Sequence, residues 1–389
     1  MAAPQVPPPM SRSADRQQTG RILVIGGGIV GAMLAYELSQ HNRQVTLLDR
    51  QPPARGSTGA ALGVLMGAIS RKTKGRAWRM RQQSLRRYDA LVEDLQRQGQ
   101  PVPYNRDGIV KLLYEGEARA RWETLAEIRQ AQGWRLRLWT RETLLERCPA
   151  VNLDNPQAGA VIGAVHSLDD RQVHPQQLTL ALLAAARGRG VDTRFDAVVQ
   201  SLGEANGRPY AALANGDRCD ADWIVVTAGL GSTALVQSLP PADPAALDIR
   251  PVLGQAMEIE LDAPLAPDAF QPVITGNDIH VVSVPAPGKP RYWVGATVEF
   301  PEDSDGTAIE AERQAMWAGA IAMCPQLAAA TVLRSWSGKR PRPYGRPAPV
   351  IERLPGHSRI AVASGHYRNG VLLAPATAQQ VMALLQPDG

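Results

Sequence analysis

A glycine-rich turn between an apolar strand and a helix constrains the fold of this chain more than any other part of its sequence. In VIGGGIVG, Gly26, Gly28 and Gly31 have GxGxxG spacing. The first glycine permits a tight turn, the second lets phosphates approach the main chain, and the third lets the helix pack on the strand. Residues 21–25 are apolar enough for a buried parallel strand, and residues 29–40 repeat apolar side chains at helical spacing. We therefore expect a βαβ unit that binds a dinucleotide.

An acidic residue and a run of small residues narrow the choice of dinucleotide. Asp49 lies 18 residues past Gly31, at the end of a strand predicted over residues 44–48, where it can accept hydrogen bonds from a ribose. An arginine there would favour a 2′-phosphate, so NADP is disfavoured. In the following ARGSTGAALGVLMGA, Ser57 and Thr58 can bind phosphate, and the small residues let the chain pass close to a flat ring. This segment favours a flavin over a nicotinamide, with an ordinary flexible loop as the alternative.

The composition is that of a globular protein. Apolar residues make up 44% of the 389 residues, enough to fill one large domain or two. Three cysteines without paired spacing predict neither a disulfide framework nor a zinc site, and six scattered histidines predict no other metal site. Residues 1–20 lack the apolar segment of a secretory signal, so we interpret them as a disordered leader and expect a cytoplasmic protein. No stretch is suited to a transmembrane helix.

A basic run follows the small-residue segment. Eight of the seventeen residues at positions 71–87 are Lys or Arg, and the chain carries a net charge of +5. Such a run could attract nucleic acid or an anionic membrane. Because no nucleic-acid motif accompanies it, we expect a solvated helix face and no nucleic-acid partner.

The rest of the chain predicts an α/β fold in two domains. Residues 250–261 and 291–298 alternate apolar and polar side chains, as antiparallel strands with one buried face do. Apolar runs at residues 221–228 and 359–363 predict further buried strands, and a final helix is predicted at residues 374–385. Helices are also predicted at residues 75–98 and 115–132, with a strand at residues 108–114 between them. The predicted dinucleotide domain is discontinuous, with residues 21–80, 169–245 and 335–389, and the predicted substrate domain has residues 81–168 and 246–334.

Four motifs carry a resemblance to a known family. The loop GHYRNGVLLAPAT, at residues 365–377, resembles that of the glycine oxidase (ThiO) branch of the D-amino-acid oxidase family. The segments WSGKRP (336–341), VGAT (294–297) and PVLGQ (251–255) also resemble this family. The likeness extends from about residue 21 to residue 385. It implies a discontinuous, Rossmann-like FAD-binding domain and a substrate domain with a mixed or antiparallel sheet and helices.

The resemblance also implies roles for particular residues. Arg340, in WSGKRP, resembles an arginine that pairs with the substrate carboxylate, and a guanidinium suits that bidentate contact. Arg368 is a second candidate, at the substrate or flavin edge, while His366 in the same loop is more often structural. His280 stands where the family often places a tyrosine over the substrate, and an aspartate usual after the RP pair is missing. Substrate identity is therefore left open.

The predicted site residues fall into two groups. The catalytic candidates are Arg340, Arg368 and His280. The predicted non-covalent FAD site consists of Gly26, Gly28, Ile29, Val30, Gly31, Asp49, Arg50, Ser57, Thr58, Ala61, Gly63, Val64, Val198, Thr227, Ala228, Gly229, Arg340, His366, Tyr367, Arg368, Asn369, Gly370 and Val371. Gly63 and Val64 match positions near the reacting flavin atoms, and the amides of residues 368–371 match those that stabilise the anionic reduced flavin.

The activity implied is oxidation of a small amino acid or amine, such as glycine, sarcosine or a small D-amino acid. Hydride transfer from the α-carbon to flavin N5 gives an imine, which hydrolyses to a keto acid or glyoxylate and ammonia. Oxygen is the expected acceptor, and the thiazole step of thiamine biosynthesis is the first expectation for a pathway. The alternatives are a quinone-linked D-amino-acid dehydrogenase docked through the basic run, a non-catalytic flavoprotein binding module and, more distantly, a nicotinamide dehydrogenase. A homo-oligomer is compatible with the sequence.

Overall fold

The structure is a computed structural model that describes residues 20–41, 43–240, 247–267, 270–300 and 306–386, with residues 306–308 as backbone alone. The predicted leader, apart from Gly20, lies outside the described residues. None of the helices in these ranges is both long and apolar enough to cross a membrane.

The elements follow in chain order. The helices are α1 (Ile29–Gln40), α2 (Gly75–Arg97), α3 (Arg119–Ala131), α4 (Arg141–Arg147), α5 (Pro175–Arg187), α6 (Ser232–Gln237), α7 (Gly306–Met323) and α8 (Gly370–Leu384). The strands in the first half are β1 (Ile22–Ile25), β2 (Val45–Leu48), β3 (Val64–Leu65), β4 (Tyr104–Asn105), β5 (Ile109–Tyr114), β6 (Leu136–Trp139), β7 (Asp154–Asn155), β8 (Gly159–Ser167), β9 (Arg171–Val173) and β10 (Asp192–Arg194). The strands in the second half are β11 (Val199–Ala205), β12 (Arg208–Leu213), β13 (Arg218–Asp220), β14 (Trp223–Val226), β15 (Ile249–Glu260), β16 (Val273–Gly276), β17 (Ile279–Val284), β18 (Arg291–Gly295), β19 (Thr331–Pro343), β20 (Val350–Leu354) and β21 (His357–Ser364).

A six-stranded sheet contains the predicted βαβ unit. Its order is β10-β2-β1-β14-β21-β20, with parallel pairing except between β20 and β21. Strands such as β1 are apolar at every position because both faces of the sheet are covered. Ile22 and Val24 point to the layer of α1, α5 and α8, while Leu23 and Ile25 point to the small sheet β11-β12-β13 and α6. The glycine turn therefore lies at the carboxyl edge of a buried parallel sheet.

A nine-stranded sheet forms the second half of the molecule. The order is β19-β15-β18-β17-β16-β5-β8-β6, with β7 paired to β8, and only β5 and β16 pair in parallel. One face packs on α7 and α4 through residues such as Met257 and Met316. The other face packs on the segment 62–69, where Leu62 and Ile69 meet Trp293. This second face is called the site face below.

Helix α8 begins four residues earlier than predicted, at Gly370 instead of residue 374. Pro375 lies inside the helix and has no N–H, so it leaves the carbonyl of Val371 without its intrahelical donor. The hydroxyl of Tyr88 on α2 donates a hydrogen bond to that carbonyl, and the amide of Ala376 donates to Ser84 Oγ at 3.2 Å. Tertiary contacts to α2 therefore stabilise the first turn of α8, which precedes Pro375.

Two of the predicted domain boundaries fall inside elements. The boundary at residue 80 cuts α2, whose buried residues Leu85 and Leu91 belong to the same core as α1 and α8. The boundary at residue 335 cuts β19, which pairs along its whole length with β15 in the nine-stranded sheet. We propose that α2 belongs to the dinucleotide domain and β19 to the substrate domain.

Candidate flavin and substrate site

The turn after β1 has room for glycine alone at two positions. Gly26 has a φ of +120°, and a Cβ there would lie 2.6 Å from the carbonyl oxygen of Thr227. A Cβ on Gly31 would lie 1.9 Å from the carbonyl oxygen of Gly26. The Thr227 hydroxyl, at the end of the neighbouring β14, donates towards the carbonyls of Ile25 and Gly26 at 3.0 Å each. The turn is therefore built for close approach of the main chain, as the GxGxxG spacing requires.

The start of α1 provides donors for an anion. The N-cap residue, Gly28, makes no side-chain capping hydrogen bond, and the first amides of a helix have no intrahelical acceptor. The amide of Ile29 donates to Thr58 Oγ1 at 3.0 Å. A Cβ on Gly28 would lie 3.2 Å from that same hydroxyl oxygen. The start of α1 thus presents a small polar surface suited to a pyrophosphate, formed by Gly28, Ile29, Val30 and Thr58.

Asp49 is held at the adjoining edge. Its Oδ2 accepts from the amide of Gly27 at 2.5 Å, and its Oδ1 accepts from the amide of Gln51 at 2.9 Å. The carbonyl of Asp49 accepts from the amide of Ala197, which precedes the exposed Val198. Asp49 and Val198 are thereby brought to one edge, whereas Arg50 points to solvent. This edge suits a ribose and an adenine.

The segment that precedes β3 divides into two parts. Ser57 does not reach the glycine turn, because its hydroxyl donates to the carbonyl of Lys339 at 2.6 Å. Thr58 reaches the turn and Ala60 packs beneath the sheet, with its carbonyl accepting from Trp336 Nε1 at 3.1 Å. Ala61 and Gly63 follow, and Gly63 has a φ of +74° with its missing Cβ only 1.8 Å from the carbonyl oxygen of Val173. The main chain of Gly63 therefore packs directly against Val173 in β9, which no residue with a side chain could do.

Small residues form a shallow area on the site face. Trp336, Ala256, Gly295 and His280 lie side by side in one row across β19, β15, β18 and β17. Two of these four residues are Ala and Gly, and Leu62 from the opposite segment lies 3.2 Å from where a Cβ of Gly295 would be. The segment 62–69 therefore packs closely on this part of the sheet.

Arg340 lies across the sheet beside that row. Its Nη1 donates to the carbonyl of Leu253 at 2.7 Å, and its guanidinium occupies the space that a Cβ on Gly254 would need, with the two atoms only 2.2 Å apart. Burial, and then the charge of Arg368, lowers the pKa of Arg340 from its usual value. A half-buried guanidinium with one carbonyl partner keeps donors free for an anionic ligand.

Arg368 approaches the same region from the loop before α8. Its Nη2 donates to Asp278 Oδ1 at 3.1 Å, which joins the loop to the tip of the β16–β17 hairpin. That tip is a tight turn in which Asn277 and Asp278 both have positive φ. Tyr367 also has a positive φ, of 54°, and lies near Arg342. The structure thus brings the catalytic candidates Arg340, Arg368 and His280 together.

His280 is uncharged in this setting. Burial, then Arg368 and then Arg340 lower the pKa of His280 to about 4, against the opposing effect of Asp278. Its Nδ1 is buried and has no hydrogen-bond partner among the described residues. An uncharged imidazole with an unpaired ring nitrogen beside two guanidinium groups is suited to contact a polar ligand.

His366 serves the fold. Its Nε2 lies 2.8 Å from Thr377 Oγ1 inside α8, and burial, followed by the charge of Arg76, lowers the pKa of His366 to about 3. The short turn Tyr367–Asn369 follows it and leads into the uncapped N-terminus of α8 at Gly370 and Val371. Gly229, which follows β14 and has a φ of +57°, lies close to the end of β21. Its carbonyl accepts a hydrogen bond from Ser364 Oγ at 3.2 Å. Thr227, Ala228, Gly229 and residues 366–371 therefore gather at one end of the parallel sheet.

Two residues that matter for this geometry carry no role in the sequence prediction. Gly254 stands within the PVLGQ motif, and the signal was a glycine inside an alternating strand, which often marks a close approach. Asp170 has no such signal, because two adjacent acidic residues, Asp169 and Asp170, are typical of an exposed turn. In the described ranges, no group of three or more His, Cys, Asp or Glu side chains could hold a metal ion.

Comparisons with known proteins agree with this geometry. The family model described as FAD dependent oxidoreductase (DAO) matches residues 21–384. Glycine oxidase from Bacillus subtilis is 28% identical over 365 residues, covering 93% of this chain and 92% of the relative. The bifunctional protein ThiO/ThiG of Nostoc sp. is 29% identical over 377 residues, covering 94% of this chain but 53% of the relative. The chain thus spans about half the length of the ThiO/ThiG relatives.

The solved structures show the same fold. Glycine oxidase from Geobacillus kaustophilus superposes with a TM-score of 0.79 at 24% identity, over 95% of this chain and 96% of that one. The Rossmann-like domain with a second, mixed sheet is therefore confirmed, as is the resemblance inferred from the four motifs. The chain belongs to the DAO family of FAD-dependent oxidoreductases, and FAD is its cofactor.

Proposed function

We propose that this enzyme oxidises the bond between the α-carbon and the nitrogen of a small amino acid, with glycine, sarcosine and D-alanine as the first candidates. The observation that carries the proposal is the half-buried guanidinium of Arg340, which lies over Gly254 and has one carbonyl partner among the residues that the structure describes. Relatives named glycine oxidase support the same substrate class.

Arg340 would bind the substrate carboxylate. Two N–H groups of a guanidinium match two carboxylate oxygens, and the low exposure of the group strengthens the contact. Arg368 is already paired with Asp278. It would therefore stabilise the bound carboxylate through its positive charge more than through a direct contact. Ala256 and Gly295 leave space for a short side chain at most.

His280 would contact the substrate nitrogen. Since its pKa is near 4, the imidazole is neutral at pH 7 and would contact the amine without adding a positive charge beside the two guanidinium groups. This contact would orient the α-carbon hydrogen towards the Gly63 and Val64 segment. The nearby guanidinium charges favour release of the ammonium proton to solvent, so no strong base is needed.

When bound, FAD would supply the two-electron oxidation of the bond between the α-carbon and the nitrogen, and water would hydrolyse the imine product to glyoxylate or a keto acid with release of ammonia, or of methylamine from sarcosine. The uncapped amides at Gly370 and Val371 would stabilise negative charge at the ring edge. Gly26, Gly28, Gly31, Thr58 and Asp49 would hold the rest of the dinucleotide.

A second candidate is a dehydrogenase that passes electrons to a membrane quinone. The observation in its favour is that Arg71, Lys72, Lys74 and Arg79 are exposed and form no ion pair within the described ranges. An oxidase gives one peroxide for each amine oxidised in air, whereas a dehydrogenase gives little. Peroxide yield therefore separates the two candidates.

An anaerobic substrate screen tests the main proposal. We expect glycine, sarcosine or D-alanine to bleach the flavin absorbance of the purified protein without oxygen. Arg340→Met should raise the substrate concentration needed for half-maximal flavin reduction by about 10- to 100-fold, because the substrate carboxylate loses a charge-assisted contact. Arg359→Met, at an exposed position in β21, is the matched control and should behave as the wild type. A flavin that none of the three substrates reduces would exclude the proposed substrate class.

A further inference from the structure

The main chain of residues 67–69 is bound by a buried carboxylate. Asp170 is fully buried, and its Oδ1 accepts from the amides of Gly67 and Ala68 at 2.7 Å each. Its Oδ2 accepts from the amide of Ile69 and the hydroxyl of Ser167, both at 2.8 Å. Burial raises the pKa of Asp170, and the hydrogen bonds from these four donors oppose that effect. Three consecutive amides thus share one acceptor side chain.

A buried guanidinium binds the carbonyls of the same segment. Arg129, on α3, is fully buried; its Nε donates to the carbonyl of Ala68 at 2.6 Å, and its Nη2 donates to those of Ser70 and Lys72 at 2.6 and 2.8 Å. Its guanidinium also lies 3.6 Å from the ring centre of Trp78. The segment 67–72 is therefore held through its amides by Asp170 and through its carbonyls by Arg129.

Strand β9, which begins directly after Asp170, binds the residues that precede the segment 67–72. β9 pairs with β3 through Val64 and Gln172. The side chain of Gln172 donates to the carbonyl of Leu62 at 3.1 Å, and the amide of Val173 donates to the carbonyl of Gly63 at 3.1 Å. Four consecutive residues, 170–173, thus bind the continuous segment 62–69. This segment separates the site face from the dinucleotide sheet.

Burying two ionised groups is costly unless each of their polar atoms is bound. An ordinary surface turn after β3 would be stable without them, since backbone amides and carbonyls there could bind water. The presence of a buried carboxylate and a buried guanidinium is explained if the position of the segment 67–72 must be set accurately. Gly63 and Val64, which lie beside the proposed flavin ring, come shortly before this segment in the chain.

We propose that Asp170 and Arg129 are positioning residues of the FAD site: they fix the main chain of residues 67–72 before the cofactor binds, and this, together with the pairing of β3 with β9, holds Gly63 and Val64 as a preset wall for the flavin ring. The role rests on the flavin position proposed above. Neither residue touches the substrate, and both act through the main chain that they bind.

Asp170→Asn is the principal test, because it keeps the shape but places an amide group against main-chain donors. We expect at least a tenfold increase in the FAD dissociation constant, measured by titrating apoprotein and following flavin fluorescence, together with an altered visible spectrum of the bound flavin. In the apoprotein, hydrogen exchange at residues 67–69 should become faster. Asp169→Asn is the matched control, since Asp169 pairs with Arg135 instead and should leave all three measurements unchanged.

A milder variant covers the case in which Asp170→Asn does not fold. Ser167→Ala removes one donor to Asp170 and should weaken FAD binding by about threefold, with a spectral change in the same direction. If either Asp170→Asn or Ser167→Ala lowers only thermal stability, while FAD affinity and spectrum match those of Asp169→Asn, the two residues are structural and the proposal is wrong. None of these measurements requires turnover, so a wild type that binds FAD normally but oxidises no amino acid would contradict the proposed function alone.

Discussion

The guanidinium of Arg340 owes its position to the absence of a side chain at Gly254. The two strands that carry them, β19 and β15, are paired, and Arg340 reaches diagonally across from its partner Val252 to cover Gly254. Because the guanidinium is the end of a flexible side chain, an added methyl group would displace it without disturbing the sheet.

Gly254→Ala should therefore separate substrate binding from folding. We expect the substrate concentration for half-maximal flavin reduction to rise by about 10- to 100-fold, because the carboxylate loses its charge-assisted contact, with FAD affinity unchanged. Gly188→Ala is the control, since a Cβ at Gly188 would meet only ordinary contacts, the nearest at 3.5 Å. Unchanged reduction by Gly254→Ala would show that Arg340 does not anchor the substrate.

Burial of His366 gives the fold a dependence on pH. Its pKa is about 3 in the folded protein and about 6.5 when unfolded, so below pH 6.5 the unfolded chain binds the extra proton. The contribution to stability is complete above pH 6.5 and is lost as the pH falls towards 3, by about 1.4 kcal/mol per pH unit. We expect His366→Gln to flatten the dependence of the free energy of unfolding on pH between 6.5 and 4.5 by that amount. Urea unfolding at several pH values measures it; the exposed His41→Gln is the control, and parallel curves for His366→Gln and wild type would refute the prediction.

Residue roles differ in how far the sequence reveals them. Gly26 and Gly31 are predictable because their spacing reflects a steric requirement of the turn. The sequence predicts phosphate binding for both Ser57 and Thr58 but not how their side chains differ: Thr58 Oγ1 lies at the glycine turn, whereas the Ser57 hydroxyl donates to the carbonyl of Lys339. Asp170 was missed because its donors lie about a hundred residues earlier in the chain.

At the scale of elements, α2 and α8 stabilise each other through polar contacts in their buried interface. Tyr88 supplies the donor that Pro375 removes from α8, and Ser84 accepts from the next amide. Tyr88 is fully buried, so no water can replace its hydroxyl.

Tyr88→Phe should destabilise the protein by about 1–3 kcal/mol, because the Val371 carbonyl is left buried without a donor. Chemical unfolding monitored by tryptophan fluorescence gives the value. Tyr344→Phe, at a position that is 59% exposed, should change stability by less than about 0.5 kcal/mol. A variant Tyr88→Phe as stable as Tyr344→Phe would mean that the carbonyl finds another donor.

Elements with a strong local pattern are predictable, and those set by tertiary contacts are not. The helix Ile29–Gln40 has the predicted bounds because its glycine turn and apolar spacing are local signals. The strand Thr331–Pro343 is not predicted from the sequence, because its Pro and Gly residues suggest a loop. Pairing with β15 keeps this strand extended. The start of α8 was misplaced for the same reason, as its stability comes from α2.

At the scale of the whole molecule, the basic run has an exposed part and a structural part. Arg71, Lys74 and Arg79 are exposed, while Arg87 pairs with Glu37 and Asp94. Of the exposed group, Arg79 lies on α2, whereas Arg71 and Lys74 precede the helix, so the solvated helix face expected from the sequence describes the run only in part.

Charge reversal tests whether the exposed group has a partner. We expect the triple variant Arg71→Glu, Lys74→Glu, Arg79→Glu to keep peroxide formation within about twofold of the wild type, because these side chains are exposed and exposed charges are screened by salt. Turnover with a quinone in anionic vesicles is measured in parallel. A loss confined to the vesicle assay would favour the quinone-linked dehydrogenase.

The six-stranded sheet is assembled from segments scattered over the whole chain, with β1 and β2 near its beginning and β21, between β14 and β20, near its end. On a ribosome, the first βαβ unit emerges more than three hundred residues before the strand and helix that complete its layer. The nascent chain must therefore wait, with the side of α1 that packs on α8 uncovered, until β21 and α8 have been synthesised before it can take up its cofactor. A premature stop before β20 should yield a colourless product that depends on chaperones, however complete its glycine turn.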